Sequence, residues 1–315
     1  MQEKQKEHYL KNLDDEIDLL AIINNILLEK WPMTFIVLSI SIAGLIFSLL
    51  LPNIYESRGI LSPTNSNSST SNSLQGYSSL AGLAGIKVPS VSNGVSSLIV
   101  IEKLKTLSFF ENNILPNIFL PDLMAVKSWD NQKNVVIYDE SIYDQTSNTW
   151  VKYNQIPNKK EPSVQESFEV FKNSNLKIIE DNTTGFLTIA VQHQSPILAK
   201  EWTELCVNQI NIFYRQKDKM ESEKSINYLN KQINISNISE VKQAISQLIQ
   251  EKTKQLALIE ANEFYVYEYI DPPAIMENKS EPKRALIIIF SFLLGFLISF
   301  VYLLIKVLFF RKLVQ

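Results

Sequence analysis

Two long apolar runs without a charged residue lie near the two ends of this 315-residue chain. The first, 33–51, has 19 residues and the second, 285–305, has 21. Each is long enough to cross a hydrocarbon core of about 30 Å as a helix that rises about 1.5 Å per residue. Buried core helices and signal segments seldom reach this length without a charge, so we interpret both runs as transmembrane helices.

Two spans place both termini on the same side of the membrane. Basic residues near the spans are almost balanced, with Lys30 and Lys306 on the terminal side and Lys283 and Arg284 on the loop side. Because long loops cross membranes largely regardless of charge, we expect cytoplasmic termini. The predicted segments are a cytoplasmic head (1–32), a first span (33–51), an extracytoplasmic domain (52–284), a second span (285–305) and a cytoplasmic tail (306–315).

The composition argues against several classes of function. A net charge of −3 does not suit a protein held to nucleic acid by phosphate contacts. One cysteine, Cys206, with two histidines, His8 and His193, builds neither an internal disulfide nor a structural zinc site. None of the eight glycines is followed by the Lys-Ser or Lys-Thr of a phosphate-binding loop. We therefore expect no enzyme, and no catalytic, cofactor or metal site, with His193 a structural or surface residue and Cys206 a packed one.

The first part of the loop combines short elements with a polar segment. The run 53–62 predicts a strand, and 62–73 consists almost entirely of Ser, Thr and Asn, which indicates either a mobile loop over a cavity or a surface insertion. The small-residue stretch 76–86 suits close backbone packing. From 96 to 107 a helix is predicted, with an apolar stripe at Leu98, Ile101, Leu104 and Leu107.

Capping and turn residues mark the next elements. Ser163, with Glu166 three residues later, predicts the capped start of a short helix. The runs 176–180 and 185–192 are separated by the turn residues 181–185 and predict a β-hairpin. Ser195 and Pro196 then have the residue types of a helix N-cap and first helical position.

Two long helices follow, the first running at least to Leu229 without glycine or a further proline and the second spanning 239–262. The predicted faces are Leu198, Trp202, Leu205, Gln209 and Ile212 on the first helix, and Val241, Ile245, Leu248, Lys252, Gln255 and Ile259 on the second. Together they predict an extended antiparallel hairpin, whose stripes pack either on each other alone or also on neighbouring subunits. The aromatic run 264–270 predicts a strand that pairs with the strand after the first span.

Three groups of residues resemble the Wzz-type chain-length determinant family of polysaccharide co-polymerases. One flanks the first span: Asp15-Glu16-Ile17-Asp18-Leu19, then Tyr55 and Ser62-Pro63. Another opens the first long helix: Val191-Gln192-His193, Ser195-Pro196, Ala199, Trp202 and Asn211. The third surrounds the entry to the second span: Tyr269-Ile270-Asp271-Pro272-Pro273-Ala274, Ser280-Glu281-Pro282-Lys283-Arg284 and Gly295. Met276 departs from the family, which often has a proline there.

We define two candidate sites on this resemblance. The helix-start motif consists of Ser195, Pro196 and Trp202. The membrane-entry motif consists of Asp271, Pro272, Pro273, Pro282, Lys283, Arg284 and Gly295. Within this second motif, Gly295 either permits close approach of a partner helix or is simply a tolerated glycine.

The resemblance implies an α+β protein of the bacterial inner membrane, with two transmembrane helices flanking a periplasmic α/β base (53–195 and 264–284) and a long helical hairpin (196–263). Such proteins assemble as rings and regulate the length of a surface polysaccharide without being enzymes. The implied partners are other copies of the chain, a Wzy-type membrane polymerase, the nascent lipid-linked glycan and membrane lipid, but no nucleic acid. Two alternatives stay open: a capsule or exopolysaccharide export component, and a two-span ligand-binding sensor.

Overall fold

The computed structural model describes residues 30–64, 97–154, 159–181, 183–262 and 264–313. Most of the head with its Asp15–Leu19 motif, nearly all of the Ser- and Asn-rich segment, and the small-residue stretch 76–86 lie outside the described residues. The chain separates into two compact units. One contains 30–52 and the residues from 281 onward, and the other contains 53–280.

The elements of the described chain, numbered in chain order, are as follows. The helices are α1 (Lys30–Leu50), α2 (Ser97–Leu104), α3 (Leu107–Phe109), α4 (Leu120–Met124), α5 (Val151–Asn154), α6 (Val164–Val170), α7 (Pro196–Ile235), α8 (Ser239–Ala261) and α9 (Arg284–Leu313). The strands are β1 (Tyr55–Pro63), β2 (Val126–Asp130), β3 (Val135–Tyr138), β4 (Leu176–Glu180), β5 (Leu187–His193) and β6 (Tyr267–Asp271). Single π-helical turns at Phe110–Ile114 and Phe171–Asn175 and a 3₁₀ turn at Leu115–Asn117 complete them.

The first unit is a pair of helices, α1 and α9, both long and apolar enough to cross a membrane. Their most apolar windows have mean hydropathies of 2.4 and 2.7. The helices run antiparallel, because Gly44 of α1 lies beside Ser291, whereas Met33 accepts a hydrogen bond of 3.4 Å from Ser299 Oγ. Helix α1 begins before the predicted residue 33, and α9 extends past the predicted end at 305.

The second unit is built on a four-stranded antiparallel sheet in the order β4-β5-β1-β6. Strands β4 and β5 form the predicted hairpin. Strand β1 pairs with β5 from Tyr55 opposite His193 to Leu61 opposite Leu187. On its other edge β1 pairs with β6, from Ile60 to Pro63, with a register shift after Ile60. The predicted pairing of the strand after the first span with the strand before the second is confirmed, although β6 starts at Tyr267 rather than at 264.

Helix α7 packs its first half on this sheet, and the face it uses differs from the predicted one. Trp202 is buried as predicted, but Leu198, Leu205 and Gln209 are only partly buried and Ile212 is 38% exposed. The buried positions are Ala199, Thr203, Cys206, Val207, Ile210, Asn211 and Tyr214. The sheet supplies bulky side chains such as Leu61 and Ile189, so small and hydrogen-bonding helix residues fit against it.

The second half of α7 packs against α8. Leu229, Ile245 and Leu248 form the buried centre of this contact, and Lys219 makes an ion pair with Glu260. Four of the six predicted positions of α8 are buried, among them Lys252 and Ile259, so the predicted stripe is confirmed. Ser236 to Ile238 connect the two helices.

Helix α2 closes the core beside α7, and its predicted stripe is partly wrong. Ile101 and Leu104 are buried, but Leu98 is 65% exposed and Leu107 is 39% exposed. The helix ends at Leu104 because Thr106 starts a new helix, its hydroxyl accepting a hydrogen bond from Phe109 N. The resulting change in direction removes Leu107 from the face of α2.

Candidate functional site

The helix-start motif begins α7 as the sequence predicts. Ser195 is the N-cap, and its Oγ accepts a hydrogen bond of 3.4 Å from Leu198 N. Pro196 is the first helical residue, where its fixed φ is suited to a helix and its missing N–H is not needed. Trp202 is 4% exposed and lies edge-on to the His193 ring, with a centroid distance of 5.0 Å.

His193 is held between two backbone groups. Its Nδ1 accepts a hydrogen bond of 2.9 Å from Ser195 N, so the proton of the neutral ring is on Nε2. Nε2 donates to the carbonyl oxygen of Asp122 at 2.9 Å. Burial lowers the pKa of His193, which favours the neutral ring. His193 therefore joins the end of β5, the start of α7 and α4, in accordance with the predicted structural role.

Asn211, another residue of the family resemblance, joins α7 to the chain that leads into β6. Its Oδ1 accepts hydrogen bonds from the backbone N–H groups of Tyr265, Val266 and Tyr267, at 3.2, 2.8 and 3.1 Å. Its Nδ2 donates to Val207 O and Tyr267 O, both at 3.1 Å. Because Asn211 is 4% exposed, these bonds replace hydration that the backbone groups lose on folding.

The first half of the membrane-entry motif lies across β1. Asp271 ends β6 opposite Ile60 and is exposed, and Pro273 is buried. Gly59 provides the space, since a Cβ there would lie 3.1 Å from the Tyr269 ring and 3.4 Å from Pro273 Cδ. Ser57 Oγ donates a 2.8 Å hydrogen bond to Ala274 O. Asp271 is thus the last residue of β6, and Pro272 and Pro273 continue the chain along the sheet.

The second half of the motif belongs to the helix-pair unit. The Glu281–Pro282 peptide bond is cis, Lys283 is exposed, and Arg284 opens α9. Gly295 faces α1 so closely that a Cβ would lie 3.1 Å from Val37 Cα and 3.3 Å from Val37 O. Between the two interpretations of this glycine, the structure favours close approach of a partner helix.

A cleft of about 180 Å³ lies beside His193 and was not predicted from the sequence. Its apolar lining comes from Ile54, Leu123, Met124, Val126 and Val170, and its polar lining from Asp122, Ser174, Asn175, Gln192, His193 and Gln194. The π-helical turn, β5 and α4 position these side chains. The sequence contains one signal for this cleft. Gln192 and His193, which belong to the family resemblance, are followed directly by another amide side chain, Gln194.

The acidic group of the cleft is Asp122. Tyr138 OH donates a 2.6 Å hydrogen bond to its Oδ1. Burial raises the pKa of Asp122, although the Tyr138 hydrogen bond opposes the shift. Burial and the Asp122 carboxylate together raise the pKa of Tyr138, which keeps the phenol protonated as a donor.

The thiol of the chain is enclosed as well. Cys206 is buried, as predicted for a packed residue, and burial raises the pKa of its thiol to about 12. A thiol with such a pKa carries almost no thiolate near neutral pH. Within the residues that the structure describes, no three His, Cys, Asp or Glu side chains are grouped to hold a metal ion.

Comparison with solved structures finds chains of similar structure. This chain matches a full-length bacterial polysaccharide co-polymerase with a TM-score of 0.39 and 14% identity, over 94% of this chain and 99% of that one. The chain resembles polysaccharide co-polymerases. A fragment of WzzB, the polysaccharide co-polymerase from Salmonella Typhimurium, matches with a TM-score of 0.29 and 13% identity, over 73% of this chain and all of the fragment. No family model and no curated protein matches the sequence.

Proposed function

We propose that this chain is a non-catalytic scaffold of the bacterial inner membrane that regulates the chain length of a surface polysaccharide, O-antigen or a related lipopolysaccharide glycan. Helices α1 and α9 span the membrane, the termini lie in the cytoplasm, and the unit from 53 to 280 lies in the periplasm. The scaffold acts together with a Wzy-type polymerase and with the nascent lipid-linked glycan.

The observation that carries this proposal is the pairing of β1 with β6. One strand follows the first apolar helix in sequence and the other precedes the second, so the domain between the helices is closed by its own first and last strands. Residues of the family resemblance stabilise this pairing, since Asn211 binds the backbone before and at the start of β6 and Pro273 packs near Gly59 of β1.

A scaffold role fits the chemistry of the described side chains. His193 is buried and its ring nitrogens are both bonded to backbone groups, which leaves no lone pair for proton transfer to a substrate. The thiol of Cys206 is buried and protonated. These two groups would be the usual candidates for base and nucleophile, and neither is accessible.

Self-association is the second part of the proposal. The helical hairpin exposes large apolar side chains that its own packing does not cover, among them Met220, Tyr228, Ile235, Ile238 and Leu258. Apolar positions of this kind along a pair of helices suit packing against the hairpin of a neighbouring copy. We therefore propose a closed ring of more than two copies.

The test is deletion of the gene, followed by electrophoresis of the cell's lipopolysaccharide and capsule. A changed length distribution of the lipopolysaccharide glycan, restored by the wild-type gene, is the expected result. An unchanged distribution in both polysaccharides would refute length regulation. Loss of capsule or exopolysaccharide at the surface, with the lipopolysaccharide unaltered, would instead identify an export component.

The mass of the protein in detergent micelles tests the assembly. A particle that contains more than two copies is expected. A monomeric mass at micromolar concentration, in several detergents and in lipid nanodiscs, would contradict the ring.

A further inference from the structure

The second unit ends in a loop, residues 275–279, that is fixed at both ends beside the start of β1. At one end, Ser57 Oγ donates a 2.8 Å hydrogen bond to Ala274 O. At the other end, Ser280 N and Ser280 Oγ both donate to Ile54 O, at 2.8 and 3.1 Å. The loop therefore leaves and rejoins the domain next to the domain's first residues.

This loop is longer than the distance that it has to bridge. Ile54 and Ser57 are three residues apart along extended chain, a distance of about 10 Å. The six steps of chain from Ala274 to Ser280 can reach about 20 Å. The extra length lets the loop rise up to about 9 Å from the line that joins its two ends, and all of its residues are exposed.

Two neighbouring apolar side chains stand at the beginning of the loop. Ile275 is 53% exposed and Met276 is 36% exposed, so the rest of the described chain leaves much of both side chains uncovered. Burial of such side chains is favourable in any apolar surroundings. What lies next to the loop therefore decides whether they stay in water.

The length of the connecting chain places the membrane next to the loop. Ile54 follows Leu50, the last residue of α1, by four residues, and Ser280 precedes Arg284, the first residue of α9, by four. Four residues reach at most about 14 Å. The interfacial layer beside the hydrocarbon core is about 5–8 Å thick. With the helix ends at the edge of that core, both ends of the loop lie within about 10 Å of the lipid headgroups.

A lipid surface suits the chemistry of the loop. The distance that remains to the headgroups is comparable with the height to which the loop can rise. The charges of Glu277 and Lys279 cancel, so the loop as a whole carries no net charge that headgroups would repel. Met276 has an unbranched, flexible side chain, which adapts to an irregular apolar surface.

We propose that Ile275 and Met276 insert into the interfacial layer of the periplasmic leaflet and hold the domain to the membrane surface at a point outside the two spans. This inference rests on the proposed function for the two spans and for the side of the membrane. It rests on the exposure and the short tethers of the loop for the contact itself.

Site-directed fluorescence of the full-length protein in lipid nanodiscs tests the contact. An environment-sensitive dye is attached to Ile275→Cys or, as the matched control, to Ile238→Cys. Ile238 is also an exposed isoleucine, at 59%, but it lies in the turn between α7 and α8 at the far end of the hairpin. The native Cys206 is buried, and unsubstituted protein shows how much dye it takes. The quenchers are a lipid with a nitroxide headgroup and iodide in the water.

The two positions are expected to differ. The dye at position 275 should emit at shorter wavelength, and nitroxide lipid should quench it more strongly than iodide does, whereas the dye at position 238 should show the reverse. Quenching at position 275 by iodide alone would overturn the proposal. Protection from both quenchers would also overturn it, because protein, such as a second copy of the chain, would then cover the loop.

A further substitution shows whether the apolar side chains make the contact. Met276→Glu, added to Ile275→Cys, should reduce the lipid quenching severalfold, because a carboxylate is costly to move into an apolar layer. Asn278→Glu is the matched control, since it adds the same charge to the same exposed loop and removes no apolar side chain. Equal reduction in both variants would refute the role of Met276.

The two proposals fail in different ways. Unchanged polysaccharide lengths after gene deletion would refute the proposed function, while lipid quenching at position 275 would remain measurable. Conversely, iodide quenching alone at position 275, together with altered lengths after deletion, would refute only the contact of the loop with the membrane.

Discussion

Replacement of Asn211 by leucine tests whether one side chain holds the end of the domain to α7. The change keeps the size of the side chain but removes the acceptor for three backbone N–H groups, at Tyr265, Val266 and Tyr267, and the donor to Tyr267 O. Each buried donor left unpaired costs about 1–3 kcal/mol. One oxygen shared by three donors makes weaker bonds, so we expect a total loss of about 3–5 kcal/mol.

The assay is thermal unfolding of the full-length protein in micelles. For a domain of this size a loss of 1 kcal/mol lowers Tm by about 2–4 °C, so Asn211→Leu is expected to lower Tm by roughly 6–20 °C. The matched control is Asn208→Leu, on the exposed side of the same helix, which should change stability by at most about 0.5 kcal/mol.

Hydrogen exchange adds a local measurement. The amides of Tyr265, Val266 and Tyr267 should exchange faster in Asn211→Leu under conditions where the protein is still folded, because their acceptor is lost. A Tm within about 2 °C of the control, together with unchanged exchange at these three amides, would refute the assigned role of Asn211.

Two further predictions concern the helix pair and the single described histidine. Gly295→Ala should lower stability in micelles, and Ser291→Gly should not rescue it, because the new Cβ would approach the backbone of Val37. Gly44→Ala should also lower stability, but Ser291→Gly should rescue it, because there the new Cβ meets the side chain of Ser291. Rescue of both variants, or of neither, would contradict this packing. Burial lowers the pKa of His193, so the unfolded chain binds a proton that the folded chain does not. The free energy of unfolding of the wild type, relative to that of His193→Gln, should therefore fall as the pH decreases below about 6.5, by at most about 1.4 kcal/mol per pH unit. A difference between the urea midpoints of the two proteins that stays constant from pH 7.5 to pH 5 would refute this prediction.

Local chemical signals in the sequence were sufficient to locate several element boundaries. Ser163 and Glu166 form the predicted capping box, with each side chain bonded to the other's backbone N–H. Ser195 and Pro196 begin α7, and the turn residues after Glu180 connect β4 to β5. Such signals involve neighbouring residues only, so they are readable without knowledge of the fold.

The face of α7 could not be obtained in this way. An apolar stripe assigns burial by hydrophobicity alone, and it selected Leu205 and Ile212. The sheet instead receives Thr203 and Asn211, polar residues whose hydrogen bonds to Ser57 O and to the backbone around β6 exist only once the strands are in place. Tertiary partners therefore decided which side of the helix is buried.

The cleft was beyond prediction for a related reason. Asp122, Asn175 and Gln194 come from three separate segments, and each is an ordinary surface residue type by itself. The side chains of Asn175 and Gln194 are held in the lining because their amide nitrogens donate to Gln192 O and Val126 O. Only the assembled backbone shows which hydrogen-bonding groups remain unoccupied.

The position of β1 in the sheet has a consequence for the order of folding. It is the first strand to be synthesised in the described chain, yet it lies between β5 and β6, which follow well over a hundred residues later. Contacts between such distant segments form slowly. Strand β1 therefore lacks its two partner strands, β5 and β6, until most of the chain has been synthesised. During synthesis the β4–β5 hairpin and α7 are available first, and closure by β6 is among the last steps.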